Sequence, residues 1–307
     1  MEREAGHGHS ILVHRERGAV MHKQPDRQPD KQPDKPPVTV LGATGFIGRH
    51  LVARLRADGT PCEAPPRQDP SLLTRPLGHV VYAIGLTSDF RSRPLDTVEA
   101  HVCLLRSLLA AGNFDSLTYL SSTRVYAGSA DTRESATLAV NPNDPSDLYN
   151  LSKLMGESLC LHGGRSGAKV ARLSNIVGLR DTPDSFIDQL LEEGARGNGI
   201  TLRTSLSSRK DYLYIDDAVT QILAIAQSEV ARGIFNVAHG ASVDNREVAH
   251  WLQHTLGYRC NVAPGAPEWA FADVDVNRIQ ALCGVAPRAF SDYFPNFLAQ
   301  YRLHKGI

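Results

Sequence analysis

Tyr149 and Lys153 lie four residues apart in Asp147-Leu-Tyr-Asn-Leu-Ser-Lys-Leu-Met-Gly-Glu157. If that run is helical, the two side chains share one face. A phenol is a poor acid or base near neutrality, because its ordinary pKa is about 10. A neighbouring ammonium favours the phenolate and lowers that value, so a Tyr–Lys pair can pass a proton to or from a carbonyl or alcohol oxygen. A hydroxyl near the same oxygen would hold the substrate by hydrogen bonding. Ser122, at the end of the buried-type run Leu117-Thr-Tyr-Leu-Ser121, is placed for that. The spacing alone means little, since Tyr301-Arg-Leu-His-Lys305 repeats it at the carboxyl terminus with no strand or serine to use it. That copy reads as a surface feature.

Such a group needs a scaffold, and the start of one lies upstream. Val38 to Leu41 is a short apolar run that predicts a buried strand. Gly42, Gly45 and Gly48 follow, and then Ile47, Leu51, Val52 and Leu55 at helical spacing. Strand, glycine turn and helix make the setting in which backbone N–H groups and a helix dipole can seat a pyrophosphate. The spacing is G-x-x-G-x-x-G and not the generic G-x-G-x-x-G. On these residues alone the turn is either a dinucleotide seat or an ordinary glycine-rich βα connection.

The second strand should come after Gly59, but Thr60-Pro-Cys-Glu-Ala-Pro-Pro-Arg67 is broken by proline and allows only a short or edge strand. The next convincing strand is already His79 to Ile84. A full helix, strand and helix do not fit between, so the doubly wound pattern is abbreviated after its first βα unit. A helix over Thr97–Ala111, the strand ending at Ser121, the helix bearing Tyr149 (with Asp147 or Ser146 near its cap) and a strand over Lys169–Leu173 continue the alternation. We therefore expect an α/β fold, a Rossmann-type doubly wound parallel sheet over 38–178. A smaller mixed carboxyl-terminal lobe over 179–307, mainly substrate-binding, is expected to cover the carboxyl ends of the strands, with some segments returning to the first domain. Helices are expected around Ser185–Gly194, Asp217–Ser228, Asn245–Leu256 and Asn277–Cys283, and a strand at Ile234–Val237.

Composition narrows the function classes. The 307 residues carry 33 Lys+Arg against 33 Asp+Glu, so no charge excess points to nucleic acid or an anionic membrane. No apolar run approaches the roughly 18–20 residues that span a bilayer, and no secretory pattern opens the chain. Five scattered cysteines, never in C-x-x-C spacing, fit a reducing compartment and neither a disulfide framework nor a zinc site. The expectation is a cytoplasmic protein without a metal. Residues 1–37 include a near-repeat of Gln-Pro-Asp plus a cation with no apolar residue to bury, and are expected to be disordered.

Taken together, Gly42-Ala-Thr-Gly-Phe-Ile-Gly48, Leu120-Ser-Ser-Thr-Arg-Val-Tyr126 and Tyr149-Asn-Leu-Ser-Lys153 resemble the extended short-chain dehydrogenase/reductases. The resemblance is specifically to the NAD-dependent epimerase/dehydratase group acting on nucleotide sugars, and it runs from about Val38 to the carboxyl terminus. It implies that Ser122, Tyr149 and Lys153 form the catalytic triad. Tyr149 would be the acid/base and Ser122 the substrate anchor. Lys153 would lower the tyrosine's pKa and also hold the nicotinamide ribose. It implies NAD or NADP contacts at Gly42, Thr44, Gly45, Phe46, Ile47 and Gly48, and at Tyr149 and Lys153 themselves. On the substrate side it implies Asn175, in Ala171-Arg-Leu-Ser-Asn-Ile-Val-Gly178, and a cation against the sugar-nucleotide pyrophosphate, best matched by Lys210 with Arg209 adjacent. A homodimer through the helices of the Tyr149 region is likewise implied.

Three departures refine this. Where the family places an acid for the adenosine ribose, this chain has Pro66 with Arg67 beside it. A guanidinium there leans toward the 2′-phosphate of NADP, unless Arg67 is a solvated loop residue; Glu63 is the nearest alternative acid. His101 stands where asparagine is common. The Asp-Glu pair that sugar-nucleotide 4,6-dehydratases put after the catalytic hydroxyl is replaced by Thr123 and Arg124, which ranks elimination low. There remain a 4-epimerase or a ketosugar reductase, then a reductase of a non-nucleotide carbonyl compound, and last a non-catalytic NAD(P)-binding sensor or scaffold.

Overall fold

Val38–Leu41 forms the first strand (β1), with Val38 and Val40 fully buried. Its one hydroxyl, on Thr39, is also buried and donates to the Leu77 carbonyl at 2.6 Å. A computed structural model describes residues 36–197 and 199–306. The expected disorder of residues 1–37 therefore falls outside the described residues, apart from Pro36 and Pro37.

After β1 come α1 (Phe46–Ala57), a two-residue β2 (Cys62–Glu63), a 3-10 turn at Pro70–Leu73, and β3 (His79–Tyr82). That turn is all that stands between β2 and β3, and this is the abbreviation expected from the sequence. Next are α2 (Pro94–Val98), a π-helical turn at Glu99–Cys103, α3 (Leu104–Ala111), β4 (Ser116–Ser122), α4 (Asp147–His162) and β5 (Ala168–Leu173). The single helix expected over Thr97–Ala111 thus starts earlier, at the proline suited to a first helical turn, and is interrupted by one wide turn.

The remaining elements are β6 (Asn175–Val177), α5 (Phe186–Ala195), β7 (Ile200–Leu202), β8 (Arg209–Tyr214), α6 (Ile215–Gln227) and β9 (Gly233–Val237). They are followed by β10 (Ser242–Asp244), α7 (Asn245–Leu256), β11 (Cys260–Val262), α8 (Asn277–Cys283) and α9 (Phe290–Lys305). The main sheet has six parallel strands in the order β2-β1-β3-β4-β5-β9. The direction of winding reverses between β1 and β3, and open α/β sheets bind ligands at the carboxyl edge of such a point. One face of the sheet packs Leu51 and Leu55 of α1 with Ile222 and Ile225 of α6 and Ile279 of α8. The other packs Leu105 and Leu108 of α3 with Cys160 of α4.

A second core joins α5, α7 and α9 beneath the small sheet β10-β8-β6. Helix α9 has no counterpart in the sequence reading. Its Phe290, Phe294, Phe297 and Tyr301 are buried, but Pro295 in the middle masks the helical pattern. Tyr301 is accordingly no surface feature: its ring closes this second core, and Lys305 pairs with Glu192 at 2.6 Å.

Candidate active site

The glycine turn has the shape its residues require. Gly42 sits at φ +84°, where a Cβ would also lie 2.7 Å from the Ala83 carbonyl oxygen, and a Cβ on Gly48 would strike the Gly42 carbonyl. Helix α1 therefore starts hard against the turn. Its N-cap, Gly45, supplies no capping side chain, and its first turn holds no acid. The leading N–H groups are left for an anionic ligand, and Gly45, Phe46 and Ile47 line a cavity of about 860 Å³ at the carboxyl edge of the sheet. These features fit the pyrophosphate of a dinucleotide. Gly42, Thr44 and Gly48 shape the turn without lining the cavity.

Ser122, Tyr149 and Lys153 all line that same cavity. Ser122 ends β4, and its Oγ accepts the Arg124 N–H at 3.2 Å. Tyr149 and Lys153 face it from the first two turns of α4. The phenol ring packs against Phe90 and, edge-on, against His101, each with centroids 5.4 Å away. The Lys153 ammonium lies 5.8 Å from the Tyr149 ring centroid and donates to the Leu120 carbonyl at 2.9 Å. The Arg124 guanidinium lies at the same 5.8 Å distance. Burial raises the phenol's pKa, opposed by a hydrogen bond with Ser122 and by the charge of Arg124. Burial also pulls Lys153 down to about 7, against the attraction of Glu157. The charge that opposes burial at the tyrosine is thus that of Arg124, which is permanent, whereas Lys153 holds its proton only below about 7. Arg124 entered the sequence reading only as a missing carboxylate, because the fold alone brings its side chain over the tyrosine.

The lysine has a consequence for stability. Unfolded, it holds its proton up to about pH 10.5, whereas folded it releases it near 7. Between those values the unfolded chain binds the extra proton, so this group's contribution to stability grows with rising pH and is lost as pH falls through 7. The stability difference between the parent and Lys153→Met, measured by urea unfolding, is expected to move in the parent's favour from pH 7 to pH 9. The shift is at most about 1.4 kcal/mol per pH unit. A difference that stays flat or moves the other way would contradict it.

His101 sits on the π-helical turn and is fully buried. Its Nε2 receives the Leu86 N–H at 3.2 Å, which leaves the ring proton on Nδ1, 2.8 Å from Ser152 Oγ. Ser152 in turn donates to the Tyr149 carbonyl at 2.8 Å. Burial, and then the charge of Lys153, hold the imidazole pKa at about 2, so it is neutral. His101 therefore ties the loop after β3 to the helix turn between Tyr149 and Lys153.

At the other end of the cavity Asn175 and Lys210 are both in the lining. Asn175 donates to the Asp211 carbonyl at 2.9 Å. Lys210 lies 4.4 Å over the Phe186 ring, and burial followed by the charge of Arg124 pulls it down to about 8. Arg209 takes another direction: it is outside the lining and points to the Ser242 carbonyl at 3.1 Å and Asp273 at 3.4 Å. Arg67 is exposed on the loop after β2, also outside the lining, while Glu63 is held by Arg75. Residues 268–272 form a wall of the cavity that no sequence motif announced. Among the described residues no cluster of three or more metal-ligating side chains occurs, and no helix is long and apolar enough to cross a membrane.

Known proteins share this fold. The model of the NAD dependent epimerase/dehydratase family matches residues 38–238. GDP-6-deoxy-D-mannose reductase of Pseudomonas aeruginosa is 29% identical over 240 residues, which cover 69% of this chain and 78% of the relative. dTDP-6-deoxy-L-talose 4-dehydrogenase (NAD(P)(+)) of Kitasatospora kifunensis is 27% identical over 292 residues, 82% of this chain and 91% of the relative. Among solved structures, RMD from Pseudomonas aeruginosa complexed with NADPH superposes with a TM-score of 0.69 at 23% identity, covering 86% of this chain and 98% of that one.

Proposed function

The chain belongs to the NAD dependent epimerase/dehydratase family, and on that premise we propose that it is an NAD(P)-dependent oxidoreductase or epimerase of a nucleotide-activated sugar. The observation that carries this is that Tyr149, with Arg124 and Lys153 each 5.8 Å from its ring, shares with Ser122 one cavity that runs from the glycine turn to Lys210. The glycine turn and Lys153 would hold the dinucleotide, and the bound nicotinamide supplies the hydride chemistry at a sugar carbon. Ser122 orients the sugar oxygen, and Tyr149 gives it a proton or takes one away. Arg124 and Lys153 favour the phenolate when the proton leaves. Lys210 and Asn175 meet the diphosphate end of the substrate.

Elimination is disfavoured because the positions after Ser122 hold no carboxylate. Thr123 donates to the Leu173 carbonyl at 3.3 Å, and Arg124 stacks over the rings of Phe90 and Tyr149. That leaves a 4-epimerase or a ketosugar reductase. For the cofactor, Glu63 is engaged by Arg75 and Arg67 is free at the surface to meet a 2′-phosphate, which favours NADP(H).

A panel of uridine-, thymidine-, guanosine- and cytidine-diphosphate sugars and 4-ketosugars tests this. It is run with NAD(H) and NADP(H), read at 340 nm and by product analysis. Turnover or epimerisation of one nucleotide series is the expected result. Turnover of simple carbonyl compounds with no response to any nucleotide sugar would replace this reading with the non-nucleotide reductase.

A further inference from the structure

Trp269 lies in the cavity wall, and the residue is 51% exposed. Among the described residues its indole meets no other ring and no cation, whereas the other tryptophan, Trp251, packs on His250. A half-exposed indole is usually mobile, but the backbone beneath this one is held on every side. Its N–H donates to the buried Ser208 hydroxyl at 2.9 Å, and its carbonyl accepts the Arg209 N–H at 2.9 Å. The Phe271 N–H returns to the Arg209 carbonyl at 3.3 Å. Further along, Thr132 accepts the Asp275 N–H at 2.9 Å and donates to the Asp273 carbonyl at 2.8 Å. The Arg209 guanidinium closes the clamp on Asp273. This explains why Arg209 does not face the cavity: it fastens the strap that carries Trp269.

We propose that Trp269 is the stacking platform for the nucleobase of the substrate, an inference that rests on the nucleotide-sugar reading above. The strap is bridged to β8 at Arg209↔Ala270, immediately before Lys210. The indole and the ammonium therefore stand on neighbouring, mutually bonded backbone. A nucleoside diphosphate whose phosphates meet Lys210 has its base directed along this wall. An exposed apolar ring face, carried on a strap whose backbone is hydrogen-bonded on both sides, matches the face of a base. Because every base has such a face, the platform supplies affinity with little choice among bases. Burying the indole against a base also removes a large apolar surface from water.

The test is calorimetric titration of the full chain, with NAD or NADP present, against the four nucleoside diphosphates and against inorganic pyrophosphate. Trp269→Ala is expected to weaken the bound nucleoside diphosphate by about 5- to 100-fold, the range that loss of one base–aromatic stack brings. Pyrophosphate binding should be unchanged, and Trp269→Phe should keep most of the affinity. Nucleotide binding by Trp269→Ala equal to the parent's overturns the platform while leaving the nucleotide-sugar reading intact. An equal loss of pyrophosphate overturns it too, because the tryptophan would then be supporting the wall. If the parent binds none of the four diphosphates, the platform and the nucleotide-sugar reading fall together.

Discussion

Replacing Tyr149 by Phe is expected to lower kcat by about 10²- to 10⁴-fold, the usual worth of a positioned acid/base. The substitution keeps the ring, so the packing on Phe90 and His101 survives and only the hydroxyl is lost. The glycine turn is untouched, so dinucleotide binding should persist at the parent's affinity. Steady-state assays with the nucleotide sugar found by the panel, together with cofactor titration, give both numbers. A variant that turns over within about threefold of the parent would remove Tyr149 from the chemistry. One that also loses its cofactor would point to a folding defect.

Glu157→Ala is expected to be the most destabilising single change outside the hydrophobic cores, costing about 3–5 kcal/mol. The Glu157 carboxylate lies on the same helix as Tyr149 and is buried with Arg172. It accepts Arg172 Nη2 at 2.6 Å, Nε at 3.0 and 3.2 Å, and the Ser121 hydroxyl at 2.5 Å. Arg172 Nη1 donates to the Tyr126 hydroxyl at 2.7 Å, which passes on to Asn236 on β9 at 2.9 Å. Removing the carboxylate leaves a guanidinium buried without its counter-charge, and that uncompensated charge is the source of the cost. With typical domains stable by only about 5–15 kcal/mol, the loss is a large fraction of the whole. Urea unfolding checks it. Replacing both partners with apolar residues of similar volume, Glu157→Leu with Arg172→Met, should recover much of the loss. A midpoint for Glu157→Ala within about 1 kcal/mol of the parent would show that the network does not hold α4 against the sheet.

Much of the site was legible before the structure because it is local. The glycine turn is written in consecutive residues: Gly42 takes φ +84° and Gly48 presses on the Gly42 carbonyl, while the close approach of Gly42 to Ala83 comes from the chain just after β3. The Tyr149–Lys153 pair is a helix repeat. The abbreviated second βα unit follows from proline density and from a linker too short for more. What failed to show was of two kinds. Helix α9 was hidden by Pro295, and the π-helical turn that presents His101 has no sequence pattern of its own. Arg124, Phe90 and Trp269 were hidden because their roles depend on neighbours that are distant in sequence.

The amino-acid sequence by itself determined the family, the glycine turn and the Tyr149–Lys153 helix pair, because each is a short-range arrangement that backbone geometry makes almost inevitable. Only the tertiary structure decided the charges around the tyrosine, the separation of Lys210 from Arg209, and the aromatic wall. Adjacent residues on a strand point to opposite sides, so which of two neighbouring cations faces the cavity depends on the surface against which the strand packs. Likewise, burial pulls Lys153 to about 7 and leaves Arg124 as the cation whose charge does not depend on pH, and burial exists only once the chain has folded.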